Sequence, residues 1–141
     1  NHEGADGMTL QELSRYYKLQ KQLEQSRELL ASLEASASPG AQALTGMPHG
    51  GGAKDKVGDL AAEIADMKAH IQRLERKADR AAGRINTYIG TIEDQHIRMI
   101  FRLRFIRCLT WGEVASVIGG HNSERGVKAI CYRYLKSCSD V

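Results

Sequence analysis

Apolar residues recur along this chain in three successive patterns, two long and one broken. In residues 9–34 there is no Gly or Pro, and good helix formers dominate. Thr9 precedes Glu12 by three positions, the spacing of a capping box. Tyr16, Leu19, Leu23, Ser26, Leu30 and Leu33 then follow at alternating steps of three and four. Leu10, Leu13 and Tyr17 widen this stripe at its N-terminal end. The pattern predicts one long amphipathic helix. The second pattern is stricter: Val57, Leu60, Ile64, Met67, Ile71, Leu74, Ala78, Ala81, Ile85, Tyr88 and Ile92 keep the same alternation with charged residues between them. A helix over 57–92 would be about 54 Å long, against about 39 Å for the first.

Residues 35–56 separate the two. They hold both prolines, Pro39 and Pro48, with Gly40, Gly46, Gly50, Gly51 and Gly52, and read as a loop. Two rods each bearing a greasy stripe need cover. An antiparallel hairpin through the glycine loop and a parallel dimer through the second helix both supply it, and the pattern leaves the two open. In the hairpin, the end of the second helix near residues 78–92 would lie beyond the reach of the first. Small residues there, Ala78, Ala81 and Ala82, suit close approach by a second chain or by the C-terminal region.

From Glu93 the pattern breaks into three short helices. Asp94 caps the first, with Ile97, Ile100, Phe101 and Phe105 turned inward. Thr110 and Glu113 form a second capping box ahead of Trp111, Val114, Ala115 and Ile118. Gly119 and Gly120 end that helix. Asn122 or Ser123 caps the third, whose inward residues are Val127, Ile130 or Cys131, Tyr134 and Leu135. A short middle helix, a small residue at the crossing, a glycine turn and a basic third helix together describe a helix-turn-helix. The outward face of its last helix presents Ser123, Glu124, Arg125, Lys128, Tyr132, Arg133 and Lys136, suited to a major groove about 12 Å wide. A small protein-binding three-helix bundle would also have a charged outer face. The expected fold is therefore all-α: a long coiled-coil-type helical hairpin or arm over 9–92, then a C-terminal three-helix domain over 93–141. Residues 1–8 are set aside as a disordered or vector-derived start.

Charge sharpens this division. Residues 1–92 carry 12 Lys/Arg and 12 Asp/Glu, whereas residues 93–141 carry 8 and 5, so the whole excess of +3 lies in the last third. That asymmetry favours an anionic partner. Cys108, Cys131 and Cys138 form no CxxC pair, and the seven-residue step from Cys131 to Cys138 is that of packing neighbours on one helix face. His2, His49, His70, His96 and His121 are scattered without a metal-binding motif. No Ser-His-Asp set, carboxylate pair or phosphate loop can be argued, so neither an enzyme nor a cofactor or metal is expected. No apolar run is long enough to span a bilayer, and no signal peptide is evident. A cytoplasmic protein is the resulting expectation.

The segment from Tyr88 to Lys136 resembles the region-4-type helix-turn-helix of sigma factors. Residues 9–137 more closely resemble small phage and prophage proteins of Gram-positive bacteria, the ArpU/RinA-like late-gene regulators. In these an N-terminal helix, a TGMPHG-like loop, a long helix and a sigma-like tail come in this order. Here TGMPHG stands at residues 45–50 (its core being Met47, Pro48, His49 and Gly50) and KDKVGDL at 54–60. The resemblance implies sequence-specific binding of double-stranded DNA in a bacterial host cell and a role in phage or mobile-element transcription. A homodimer through the helical arm is the expected assembly, and direct contact with RNA polymerase is left open. On that basis Arg125, Lys128 and Arg133 would meet base edges or flanking phosphates, and Thr110 and Lys136 phosphates. Asn122 and Ser123 stand at the helix start, Glu124 would accept from cytosine or favour that start electrostatically, and Tyr132 would touch a thymine methyl or pack. The sequence departs from the family in a longer stretch between Ala115 and Val127, which leaves the register of the recognition helix open. Alternatives are a phage small terminase subunit and a coiled-coil adaptor that binds no nucleic acid.

Overall fold

The computed structural model describes residues 8–38 and 59–139, and these fold as helices joined by short turns, with no strand among them. Five helices follow in order: α1 (Leu10–Ala37), α2 (Ala61–Gly90), α3 (Gln95–Phe101), α4 (Trp111–Ile118) and α5 (Glu124–Ser139). None of the described helices is long and apolar enough to cross a membrane. The expected TGMPHG loop, Val57 and His49 lie outside the described residues.

Helix starts follow local chemistry. At α1, Thr9 Oγ1 accepts from the Glu12 N–H at 3.1 Å, and Glu12 Oε1 accepts from the Thr9 N–H at 3.1 Å, so the capping box is closed. Helix α2 begins later than the 57–92 spacing predicts: Leu60 is still outside it, its carbonyl accepting the first helical bond from Ile64 at 2.9 Å. At 28 and 30 residues, α1 and α2 are nearly equal in length. The difference in length expected between them therefore shrinks to about 3 Å.

The chain divides into two compact units. The one over Gln20–Lys77 contains the C-terminal part of α1 and the N-terminal part of α2. Leu23, Ile71 and Leu74 are its buried seam. Arg27 pairs with Glu75 at 2.7 Å, and Glu34 with Lys68 at 3.7 Å. Residue numbers rise on one helix as they fall on the other, so the two helices run antiparallel. These pairs are about half exposed and stabilise little, at most about 1 kcal/mol each; they mark the register. The seam fades towards Leu30, Leu33, Ile64 and Met67, all half-buried.

The other unit combines the described residues of Asn1–Leu19 and Ala78–Val141. Its core gathers Met8 and Leu13, then Ile85, Tyr88, Ile89 and Ile92, with Ile100, Phe101, Phe105, Trp111, Val114, Ala115, Val127 and Cys131 from the shorter helices. Met8, the last of the eight residues set aside from the sequence, is buried in this core. Positions 78–92 are covered within the chain, by the first turns of α1 and by the C-terminal helices. The Glu12–Arg84 pair at 3.0 Å marks the α1 side.

After α2, Thr91 and Ile92 close a turn on the carbonyls of Tyr88 and Ile89. Arg98 then clamps it, donating from Nε and Nη2 to the Ile92 carbonyl at 2.8 and 2.5 Å. Asp94 Oδ1 accepts from the N–H groups of His96 and Ile97, capping α3. The regular helix expected from the Asp94 cap through Phe105 stops at Phe101. Arg102–Ile106 widens into a π-helical turn, closed by the bond from Arg107 N to Arg102 O, and Leu109 N reaches back to Leu103 O just after it. Cys108 leaves it at φ 62°, an uncommon conformation for a side-chain-bearing residue.

Candidate nucleic-acid interface

Helices α4 and α5 pack together, and their connection is set by two glycines. The Thr110 hydroxyl and the Glu113 carboxylate cap α4 reciprocally at 3.1 and 2.9 Å. At the other end Gly119 adopts φ 73°, ψ −158°, a region essentially reserved for glycine, and Gly120 follows at φ 65°. The Gly119 carbonyl accepts from both the Asn122 N–H (3.3 Å) and its side-chain Nδ2 (2.8 Å). Ser123 then caps α5, its Oγ accepting from the Gly126 N–H at 3.0 Å. Of the two caps open from sequence, Ser123 is the one used.

Helix α5 is split lengthwise. Val127 and Cys131 are fully buried, with Ile130, Tyr134 and Leu135 partly so; between Ile130 and Cys131, the cysteine is the deeper. Glu124, Arg125, Lys128, Tyr132, Arg133 and Lys136 are exposed, as are Ser123 and Thr110. The structure therefore brings most of the expected contact residues to the outside of one unit. Asn122 stands apart: half-buried, its amide is committed to the turn. Glu124 is constrained too. Its Oε1 lies 3.5 Å from where a Cβ on Gly112 would stand, over the first turn of α4 and close to Thr110. That places a negative charge beside two helix N-termini, which favours it there.

Two of the eight cations counted in the C-terminal third are structural. Arg98 holds the α2–α3 turn, as above. Arg104 lies between aromatic rings, its guanidinium carbon 4.9 Å from the Tyr17 centroid and 4.8 Å from that of Trp111. Its Nη1 donates to the Leu109 carbonyl at 2.9 Å, while its buried Nε has no partner. Sequence reasoning missed this role. The signal available was the setting of Arg104 directly between the apolar Leu103 and Phe105.

An aromatic chain connects the core with the outer face. Phe101 lies 6.2 Å from Tyr88, 5.5 Å from Phe105 and 5.6 Å from Tyr134. Phe105 meets Trp111 edge-on at 6.3 Å, and Trp111 meets Tyr132 edge-on at 6.3 Å. Lys128 Nζ sits 5.8 Å above the Tyr132 ring. Burial pushes the Cys131 thiol up to about 12, against a lesser opposing pull from Arg104. Tyr134 is raised to about 12, chiefly by burial and then by Cys138. Tyr88 is raised further by burial, its hydroxyl beside the Cys138 thiol without a hydrogen bond of good geometry. At neutral pH these groups are uncharged, so the charge available on this unit's outer surface comes from its lysines, arginines and carboxylates. Among the described residues no cluster of His, Cys, Asp and Glu is placed to hold a metal.

Compared with known protein families, curated proteins and solved structures, the chain matches none.

Proposed function

We propose that this chain is a sequence-specific, double-stranded DNA-binding transcription regulator of phage or mobile-element origin, with α4 and α5 as its helix-turn-helix and α5 as the recognition helix. The observation that carries the reading is the division of α5 into a buried Val127–Cys131 side and an exposed side bearing Arg125, Lys128 and Arg133. A helix held from behind by α3 and α4, with its cations outward, is what entry into a major groove requires. Arg125 and Arg133 supply the planar donors that grip guanine, while Lys128, Lys136 and the Thr110 hydroxyl hold phosphates. Asn122 and Glu124 shape the start of α5 and do not read bases. The part of α1 and α2 over Gln20–Lys77 is a coiled-coil arm, and its half-buried seam at Leu30, Leu33, Ile64 and Met67, with Leu29 exposed beside it, favours a homodimer. The reading is one of binding, with no catalytic step.

The test is duplex binding at two salt concentrations by the full chain. About four phosphate contacts would weaken affinity by roughly two orders of magnitude between 50 and 200 mM salt. No binding at low salt would leave a coiled-coil adaptor. A large ring of chains in a solution mass measurement would replace the regulator by a small terminase subunit.

A further inference from the structure

We infer that Tyr132 is a bracket for Lys128, held by Trp111 and Arg104, and that this chain of contacts presets the Lys128 ammonium for a phosphate. The inference rests on the DNA-binding reading of α5 and assigns Tyr132, Trp111 and Arg104 as positioning residues within it.

The geometry is continuous from the interior to the surface. Tyr17 on α1 and Trp111 at the start of α4 flank the Arg104 guanidinium at 4.9 and 4.8 Å. Arg104 also bonds the carbonyl of Leu109, two residues before Trp111, at 2.9 Å. Both contacts act on the same short stretch of backbone, so the indole is fixed by its neighbour in space as well as by burial. Its edge-on contact with Tyr132, at 88° between ring planes, stops the phenol from swinging along the helix. Over that ring stands Lys128 Nζ at 5.8 Å, one helical turn earlier. A lysine on an open helix face samples many rotamers, and binding must freeze them. Here the ring occupies one side of the ammonium and leaves N–H donors free on the other. Tyr132 therefore serves DNA binding through Lys128 and not through a thymine methyl.

A double-mutant cycle on duplex affinity, at one fixed salt concentration, tests this. Tyr132→Leu alone weakens binding about two- to fivefold, the range of an exposed cation–π contact. Lys128→Met alone weakens it more. The double variant binds no worse than Lys128→Met, because the bracket has lost what it holds. Two independent effects that multiply would overturn the inference while the DNA-binding reading stands. A readout in the free protein keeps the two separable. The Tyr132 ring shifts the Lys128 ε-methylene protons upfield in NMR spectra. That shift persists in Trp111→Phe, shrinks in Trp111→Leu and vanishes in Tyr132→Leu. An unshifted Lys128 in the wild type overturns the bracket outright. A shifted Lys128 in a protein that binds no duplex overturns the DNA reading instead. Tyr132 is exposed, so its variant carries the test even if Trp111→Leu does not fold.

Discussion

Replacing Gly119 by alanine isolates the backbone geometry that joins α4 to α5. The new Cβ would meet nothing closer than the Ser116 carbonyl oxygen at 4.0 Å, so no steric clash enters the account. What remains is the conformation itself, φ 73° with ψ −158°, which costs a side-chain-bearing residue about 1–3 kcal/mol. Alanine also restricts the unfolded chain, which offsets about 0.4–1 kcal/mol of that cost and leaves a net loss of about 1–2 kcal/mol. For a unit of this size that lowers Tm by about 5–15 °C. Relief by rotating the 119–120 peptide would cost the two hydrogen bonds that Asn122 gives to the Gly119 carbonyl, so the chain has no inexpensive escape. Gly83 is the matched control: it lies in the exposed interior of α2 with nothing within 4 Å of a new Cβ. There the same change should stabilise by about 0.5–1 kcal/mol, as glycine is a poor helix former. Thermal unfolding followed by circular dichroism reads both variants. A Gly119→Ala protein that melts with the wild type would refute the reasoning, since the turn would then tolerate an ordinary L-residue.

Other consequences are open to direct measurement. Phe101 is fully buried against Tyr88, Phe105 and Tyr134, so Phe101→Ala should cost about 3–5 kcal/mol, read as a lowered denaturant midpoint; a loss below 1 kcal/mol would contradict the packing. The Cys131 thiol titrates at about 12 when folded against 9.0 when unfolded, so the folded state keeps a proton that the unfolded chain releases. Its contribution is intact below pH 9 and is lost as pH rises from there towards 12; Cys131→Val should flatten the fall of stability over that window, and an unchanged slope would rule the thiol out. Glu124→Gln removes a carboxylate from beside Thr110 and should tighten non-specific duplex binding by about fivefold at low salt, the effect of one unit charge at close range in water; unchanged affinity would place no phosphate near it.

What the sequence made legible was whatever follows from helical period and local caps. The seam from Leu60 to Ile92 could be traced residue by residue, because an α-helix returns to one face every three or four positions. The caps at Thr9, Asp94 and Thr110 could be read because a short side chain bonds N–H groups two or three residues ahead. Ile89 escaped this reading. It is fully buried beside the seam residue Tyr88, because that part of α2 is covered from two sides, by α1 and by the C-terminal helices. A single stripe assumes cover from one. The π-helical turn and the left-handed Cys108 had no local signal; they arise where the chain leaving α3 must deliver Arg104 and Phe105 to neighbours distant in sequence.

The site divides along the same physical line. Alternation of Val127 and Cys131 with Arg125, Lys128 and Arg133 was enough to place the cations outside, because burial of apolar side chains dictates which face turns away. It could not decide which cations are available to a partner. Arg104 and Arg98 add to a charge count, yet one is stacked between Tyr17 and Trp111 and the other bonded to the Ile92 carbonyl. Arginine is suited to such positions, since its planar, weakly hydrated guanidinium stacks on rings and bonds carbonyls in one geometry. Lysine is held less often in this way, and Lys128 over Tyr132 lies between the two cases, attached to the aromatic chain yet exposed. The density of positive charge in the last third therefore reflects two separate demands, one for building the turns that aim α5 and one for the surface that α5 presents. Only the second bears on a partner, and it rests on fewer residues than composition suggests.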